Sequence, residues 1–213
     1  MDVDKKIEII DDNNISDSSL INIIYNSPDE QKNKLLEQYL DVFNGSELER
    51  VIKSIKEESD RKNVAIKYMD KLDSSEQQSS LILSFEDISI IKTILEECDL
   101  ESFTLQKVIT EINIDDVKMQ LTVLHLEKLG EIDLYKIINS MKDANKMLVL
   151  TKLCITKIGE SGLFHVFEEL YDRFCDTKDL AQSDNLSDIL DEIADNYLDM
   201  FFFKGYTSDF IYI

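Results

Sequence analysis

The chain contains few of the residues that interrupt helices. It has no tryptophan, one proline and five glycines among 213 residues, whereas ordinary proteins use about 7% glycine and about 5% proline. Scarce helix breakers predict an all-α protein. Five scattered glycines also cannot build the clustered loops that hold dinucleotides or nucleotide phosphates. We therefore expect neither a nucleotide nor any other cofactor.

Basic residues are too few to balance the acidic ones. The chain has 23 Lys and Arg against 44 Asp and Glu, which gives a formal net charge of −21. Binding to a nucleic-acid backbone depends on clustered lysine and arginine, so this balance argues against a direct nucleic-acid ligand. Acidic pairs such as Glu168 and Glu169 are abundant and are expected on solvated surface. The net charge favours a basic protein or peptide as the partner.

Residue patterns typical of metal sites and of catalysis are also missing from the sequence. Cys98, Cys154 and Cys175 show neither a Cys-x-x-Cys motif nor a Cys/His metal spacing. His125 and His165 each lie between two apolar residues, which is typical of a structural histidine at the edge of a core. We expect no metal site and no enzyme activity.

Three features of the sequence indicate where in the cell the protein is located. Three cysteines cannot all pair with one another, which fits a reducing compartment. The first residues are rich in Asp and Lys and do not resemble a signal peptide. No run approaches the ~20 apolar residues of a membrane span. We expect a cytoplasmic or nuclear protein without a membrane span, and the frequent Ile, Asn, Lys and Asp suggest a viral or parasite genome.

A period of about 28 residues recurs through the middle of the chain. Each candidate unit has two apolar stripes at helical spacing, separated by turn residues such as Gly130 and Gly159. The units are Asn33–Asp60, Arg61–Asp87, Ile88–Asp115, Asp116–Asp143 and Ala144–Asp172. This pattern predicts stacked helical hairpins.

The fourth and fifth units show the pattern most clearly. The first stripe of the fourth unit ends before Gly130 and consists of Met119, Leu121, Val123, Leu124, Leu126 and Leu129. The first stripe of the fifth unit ends before Gly159 and consists of Met147, Leu148, Leu150, Leu153, Cys154 and Ile158. These stripes predict amphipathic helices with buried apolar faces.

Paired amphipathic helices with a small turn residue resemble the HEAT and armadillo class of α-helical repeat proteins. The resemblance covers about residues 33–172, but the unit is shorter than that class's repeat of about 40 residues and matches no signature motif. It implies a binding scaffold that functions through an exposed helix layer. The expected fold is all-α, with helical-hairpin repeats stacked as a short α-solenoid; an irregular compact helical bundle is the alternative.

The expected domain organisation has three parts. Residues 1–19 form a mobile acidic N-terminal arm, residues 20–172 form the helical repeat domain, and residues 173–213 form a C-terminal capping helix and an aromatic tail packed on the same domain. A short helix is expected from Ser18 to Tyr25. The main helical region is expected to start at Pro28, with Ser27 as N-cap and Glu30 completing a capping box.

The C-terminal region supplies the candidate partner-binding residues. Leu186, Ile189 and Ile193 recur at helical spacing with acidic residues on the opposite face, and three consecutive phenylalanines at 201–203 cannot all face one core. The candidates are Asp188, Asp191, Asp195, Asp199, Phe202 and Phe203. The aromatic segment is expected to fold back on the domain or, alternatively, to contact a partner or a second copy of the chain.

These observations favour a non-enzymatic protein-binding scaffold or adaptor that recognises a basic protein or peptide through helix surfaces. The charge also suits an acidic inhibitor that mimics nucleic acid. A compact bundle would suit a viral Bcl-2-like host-interaction protein, which binds a partner helix in a groove.

Overall fold

Every regular element in the described part of the chain is a helix. The structure, a computed structural model, describes residues 2–13, 15–176, 184–191 and 193. The α-helices are α1 (Val3–Asp12), α2 (Asp17–Tyr25), α3 (Asp29–Tyr39), α4 (Gly45–Lys53), α5 (Glu58–Tyr68), α6 (Ser75–Ile82), α7 (Ile88–Glu97), α8 (Ser102–Glu111), α9 (Asp115–Leu124), α10 (Glu131–Asn139) and α11 (Ala144–Asp176). Short 3-10 helices, Leu40–Val42 and Met69–Lys71, follow α3 and α5. Residues 184–191 and 193 are also helical and are called α12.

The helices follow one another as five helical hairpins. We call the successive helix pairs α3–α4, α5–α6, α7–α8 and α9–α10 hairpins 1 to 4, by their order in the chain. Hairpin 5 is α11, which non-helical backbone at Gly159 divides into two halves. The prediction of an all-α fold built from helical hairpins is therefore confirmed.

The chain divides into two compact units, Met1–Thr104 and Leu105–Ile213, where the sequence analysis expected one repeat domain over residues 20–172. In the N-terminal unit, α4 packs on α2 and α6, α1 packs on α3, and α5 packs on α7. Helices that are two positions apart in sequence are thus neighbours, as in stacked hairpins. In the C-terminal unit, α11 packs on both α9 and α10.

Both helices of hairpin 1 have buried aliphatic side chains. In hairpin 1, Leu35 and Leu36 of α3 and Leu48, Val51 and Ile52 of α4 are almost fully buried. Burial of such a side chain contributes roughly 1.5–3 kcal/mol relative to an exposed one. Apolar residues at helical spacing therefore determine which face of each helix is directed inward.

Capping residues lie at the starts of α4 and α6, and the predicted turn residue Gly159 lies at the break in α11. Asn44 caps α4, because its side chain accepts the Glu47 amide at 2.9 Å while the Glu47 carboxylate accepts the Asn44 amide at 3.1 Å. Ser74 accepts the Gln77 amide at 3.3 Å at the start of α6. Gly159 has φ 63° and ψ −178°, a conformation that residues with a Cβ atom rarely adopt. The chain of hairpin 5 therefore turns at its predicted glycine.

The start of α3 differs from the expectation in one detail. The helix begins at Asp29, one residue later than predicted, and Pro28 occupies the N-cap position that was expected for Ser27. The Ser27 hydroxyl donates to the Ile23 carbonyl at 2.6 Å and accepts from Lys6 Nζ at 2.9 Å. The predicted capping box of Ser27 with Glu30 was wrong, because the Ser27 hydroxyl is bonded to the two preceding helices.

Helix α1 lies within the segment that was expected to be a mobile arm. It packs on α3, and its Ile10 is buried. Lys6 Nζ donates to Gln31 Oε1 of α3 at 2.9 Å, and the Tyr39 hydroxyl donates to Asp11 Oδ1 at 2.8 Å. These contacts join residues that are far apart in the sequence. Local composition does not reveal such contacts, so the polar segment was predicted to be a mobile arm.

Replacing Tyr39 by phenylalanine should loosen α1. Burial, together with the hydrogen bond to Asp11, raises the pKa of Tyr39 to about 12, so the hydroxyl remains a donor at neutral pH. Loss of that bond costs about 1 kcal/mol, which should increase the opening of α1 about fivefold. Amide hydrogen exchange of residues 3–12, measured by mass spectrometry, would report this change. Tyr25→Phe on α2 is the matched control, and unchanged exchange in Tyr39→Phe would contradict the role of the hydroxyl.

Hairpins 1, 2 and 4 each have an acid and, three positions later, a base in the first turns of their first helix. We call these two residues the acid–base pair, and the sequence analysis did not identify their contacts. In hairpin 1, Lys32 Nζ lies 3.0 Å from Asp29 Oδ1 and donates to the Ser54 carbonyl at 3.0 Å. Asp29 Oδ2 accepts the Lys56 amide at 2.7 Å. The acid–base pair thus joins the first turn of α3 to the end of α4 and to the start of the next hairpin.

Hairpin 2 repeats the arrangement with longer side chains. Glu58 Oε1 accepts the Glu86 amide at 2.9 Å and lies 2.8 Å from Arg61 Nη2. Arg61 Nη2 also lies 3.3 Å from the Ser84 carbonyl oxygen, to which it donates. The Arg61 guanidinium carbon lies 4.6 Å from the centroid of the Phe85 ring, which adds a cation–π contact.

Hairpin 4 contains the most buried base of the three pairs. Asp115 Oδ2 accepts the Lys142 amide at 2.9 Å, and Lys118 Nζ donates to the Ser140 carbonyl at 2.8 Å. Burial lowers the pKa of Lys118, against the opposing effect of Asp115. In hairpin 3, Ile90 occupies the position of the base, so this acid–base pair is not a property of every repeat.

Candidate functional site

The second half of α11 is fixed against the end of α10 by one arginine. Arg173 donates to the backbone carbonyls of Asn139 at 2.9 Å and Met141 at 2.8 Å, and its Nε lies 2.8 Å from Glu169 Oε1. The last carbonyls of a helix lack intrahelical partners, so Arg173 supplies partners at the end of α10. This contact sets the distance between the two helices at this point.

A cleft of about 500 Å³ opens beside this contact. It is lined by Asn139, His165, Glu168, Glu169, Tyr171 and Asp172. Three of these six side chains are carboxylates. The volume lies in the range of roughly 300–1,000 Å³ that is usual for binding pockets, so the cleft has room for a long side chain or a small cation.

The wall of the cleft combines acidic and aromatic groups. His165 Nδ1 lies 3.2 Å from Glu168 Oε2, and the centroid of its ring lies 4.8 Å from that of Tyr135. A side-chain hydrogen bond with Cys175 raises the pKa of Tyr171, so its phenol stays neutral at neutral pH. Carboxylates beside aromatic rings are suited to an ammonium or guanidinium group, since the carboxylates accept its protons and the rings attract its charge.

The cleft lies in the acidic part of the C-terminal unit. Residues 158–193 contain ten carboxylates and two basic residues, a net charge of −8. Residues 119–157 contain six lysines and four carboxylates, a net charge of +2. Charge in the C-terminal unit is therefore separated along the sequence, and the field near the cleft favours a cation.

Two of the predicted partner-binding residues are described, and both are exposed. Asp188 and Asp191 lie on the outer face of α12, whereas Leu186, Ile189 and Ile193 are buried. The amphipathic pattern of this segment therefore has its predicted orientation. The other candidates, Asp195, Asp199, Phe202 and Phe203, lie outside the described residues, as does the predicted folding back of the aromatic tail.

The histidines and cysteines singled out in the sequence do not form an evident catalytic group. His125 is the C-cap residue of α9. Burial raises the pKa of Cys98 and of Cys154 to about 11 in each case, and a protonated thiol is a weak nucleophile. Among the described residues, no cluster of His, Cys, Asp and Glu is arranged to hold a metal ion. No described helix combines the length and apolar character needed to cross a membrane.

Sequence reasoning did not identify the cleft. Glu168 and Glu169 were assigned to solvated surface, and His165 was assigned to the edge of the core. A signal was present, because residues 165, 168, 169 and 172 share one face of a helix. The contribution of Asn139, which comes from another helix, depends on tertiary packing and has no signal in local spacing.

Comparison with known proteins gives no relative, since the chain matches no protein-family model, no curated protein and no solved structure. Any function proposed for it therefore has to come from the geometry and charge of its own residues.

Proposed function

We propose that this protein is a non-enzymatic scaffold or adaptor that binds a basic protein or peptide. The acidic cleft of hairpin 5 receives a lysine or arginine side chain of that partner. The observation that carries the proposal is the cleft itself, in which Glu168, Glu169 and Asp172 surround a space of about 500 Å³ beside an aromatic wall.

The three carboxylates have different roles in this proposal. Glu169 is already paired with Arg173 at 2.8 Å and positions the helices. Glu168 contacts His165 at 3.2 Å, and its side chain is about half exposed. Glu168 and Asp172 are therefore the acceptors for the partner's cation, and a charged hydrogen bond at such a site contributes more than a neutral one.

Two exposed carboxylates of α12 carry charge of the same sign as the cleft. Asp188 and Asp191 are exposed, and they belong to the acidic segment of residues 158–193. A net charge of −8 in that segment increases the rate at which a basic partner associates and makes that rate sensitive to salt. The nucleic-acid mimic and the Bcl-2-like protein remain alternatives from the sequence, since no feature of the cleft is specific to either.

The double variant Glu168→Gln with Asp172→Asn tests the proposal. The probe is a lysine decamer, and its affinity for the full-length protein is measured by isothermal titration calorimetry at low salt. We expect about tenfold weaker binding, because two acceptors for one cation lose their charge. Binding of the wild type should also weaken strongly at about 0.5 M salt, where charge screening acts over only a few ångströms.

The matched control is Asp41→Asn with Glu96→Gln, two exposed carboxylates of the N-terminal unit. The control changes the net charge by the same amount and should alter affinity less than about twofold, because it leaves both acceptors of the cleft in place. Equal losses in both double variants would mean that the peptide responds only to overall charge, and the proposed site would be rejected.

A further inference from the structure

Four large aliphatic side chains are exposed on α9 and the first half of α11. The exposed fractions are 49% for Val123, 55% for Leu124, 46% for Val149 and 56% for Leu153. The sequence analysis placed Val123, Leu124 and Leu153 in buried stripes, and for these three residues that expectation was wrong. Helical spacing identified the helices correctly, but their apolar residues extend beyond the buried face.

The four side chains belong to one surface. Lys146 Nζ lies 2.8 Å from Asp116 Oδ1 near the starts of the two helices, and Lys157 Nζ donates to the Glu127 carbonyl at 2.9 Å beyond the end of α9. Each contact joins residues 30 positions apart, so α9 and the first half of α11 run side by side in the same direction.

The same offset places Val123 beside Leu153. Positions 146, 149, 153 and 157 form one stripe on α11, so Val149 and Leu153 lie between the two lysine contacts. We call the surface formed by Val123, Leu124, Val149 and Leu153 the apolar face. Helices packed 8–10 Å apart leave a shallow groove between them, and grouped exposed aliphatic residues are typical of interaction sites.

The charge around the apolar face is opposite to that of the whole chain. Residues 119–157 carry a net charge of +2 in a protein of −21. Lys128 follows α9, Lys152 lies next to Leu153 in sequence, and both are exposed. Lys128, Lys146, Lys152 and Lys157 outnumber Asp116 and Glu127 around the apolar face. This excess of positive charge favours an acidic ligand.

We propose that the apolar face binds an acidic amphipathic helix of a partner protein. Leucine-like anchors at helical spacing in that helix contact Val123, Leu124, Val149 and Leu153, and its flanking carboxylates lie against the lysines. This site goes beyond the acidic cleft, because it selects a ligand of the opposite charge. With both sites, the C-terminal unit joins a basic partner to an acidic helical one.

Two designed peptides of about 18 residues test this site, both with leucines at helical i, i+3, i+4 and i+7 positions. One has glutamate at its flanking positions and the other has lysine. Each is titrated into the full-length protein by calorimetry. We expect the glutamate peptide to bind with at least about tenfold higher affinity than the lysine peptide, because only the former complements the lysines.

The variants Val149→Ser with Leu153→Ser and, separately, Val123→Ser with Leu124→Ser locate the binding. Both alter exposed side chains, so folding should be unaffected, and each should weaken the glutamate peptide about tenfold. The cleft variant Glu168→Gln with Asp172→Asn should leave this affinity unchanged. Loss of one site therefore does not imply loss of the other.

Several results would overturn the proposal. Equal affinity of the two peptides, or no effect of the serine variants, would remove the site. A dimer seen by light scattering that disappears in Val149→Ser with Leu153→Ser would assign the face to a second copy of the chain. Tighter peptide binding after replacement of Phe201, Phe202 and Phe203 by serine would assign it to the chain's own C-terminal segment.

Discussion

Gly159→Ala should destabilise hairpin 5 by about 3 kcal/mol, because the φ and ψ values at this position are essentially restricted to glycine. The backbone has φ 63° and ψ −178°, and an added Cβ atom would lie 3.3 Å from the Glu131 carboxyl group. Glu131 cannot easily move away, since its Oε1 accepts the Gly162 amide at 2.9 Å. The strain would therefore affect both the turn and the cap of the second half of α11.

The loss of stability in Gly159→Ala requires two measurements, one of the global free energy of unfolding and one of local opening in hairpin 5. Urea unfolding followed by circular dichroism reports the global change, and hydrogen exchange of residues 160–176 reports the local one. Gly130→Ala is the matched control, because an added Cβ there would meet Asp133 at 3.5 Å, an ordinary contact. The control should cost less than about 1 kcal/mol. Similar losses in both variants would show that the backbone at Gly159 is not the cause.

Lys118→Ala should cost about 3 kcal/mol, since it removes both a buried aliphatic stem and a charged donor. Lys118 is only 3% exposed, and its Nζ donates to the Ser140 carbonyl at 2.8 Å and to the Ser140 hydroxyl at 2.6 Å. Removal of the donor leaves the carbonyl at the end of α10 without this partner. Thermal unfolding of the variant would measure the loss.

The repeat offers a matched control for this prediction. Lys146 is at the position of hairpin 5 that corresponds to Lys118, but it forms a partly exposed ion pair with Asp116. Lys146→Ala should therefore cost less than about 1 kcal/mol. Comparable effects of the two alanine variants would contradict the role assigned to the buried bonds of Lys118.

A pH series separates the charge of Lys118 from its packing. Burial lowers its pKa in the folded protein below the value of 10.5 that applies when it is unfolded. Between those two pKa values the unfolded state binds more protons than the folded state, so stability rises with pH. We expect the wild type to gain stability relative to Lys118→Met as the pH approaches 10.5. A constant difference would mean that Lys118 is not desolvated in the folded protein.

The helical hairpins were predictable because their signals are local. The apolar spacing and the turn residue of a hairpin lie within that hairpin, as Asn44 does in hairpin 1 and Gly159 does in hairpin 5. Each affects the backbone at its own position in the sequence. The contacts of α1 were not predictable in this way, because Asp11 and Tyr39 are 28 positions apart. Local patterns specify a helix but do not specify the surface on which it packs.

The acid–base pairs were missed although the sequence contains a trace of them. An acidic residue precedes a base by three positions at Asp29, Glu58, Asp115 and Asp143. Serines follow α4, α6 and α10 within two residues of the helix end, at Ser54, Ser84 and Ser140. Each feature alone is ordinary on a helix surface. Their meaning depends on the distance between helix ends, which only the folded chain supplies.

The candidate sites also differ in how far local sequence patterns could predict them. The acidic face of α12 was predictable, because Asp188 and Asp191 repeat with the helix. The cleft depends on Asn139 meeting α11, and exposure of Val123 and Leu153 depends on where α9 and α11 stop covering one another. An apolar residue in a helical stripe is buried only if a neighbouring element reaches it.

The acid–base pairs also influence which changes of gene length the protein tolerates. Asp29, Glu58 and Asp115 each bond to the backbone at the start of the following hairpin, so each pair spans one repeat. An in-frame duplication of a complete repeat would add a hairpin together with its own pair and would preserve the register of the others. Deletion of a few codons inside α3 would shift Asp29 and Lys32 away from Lys56 and Ser54 at once. Duplication of a complete repeat should therefore disturb the fold less than a short insertion or deletion within a helix.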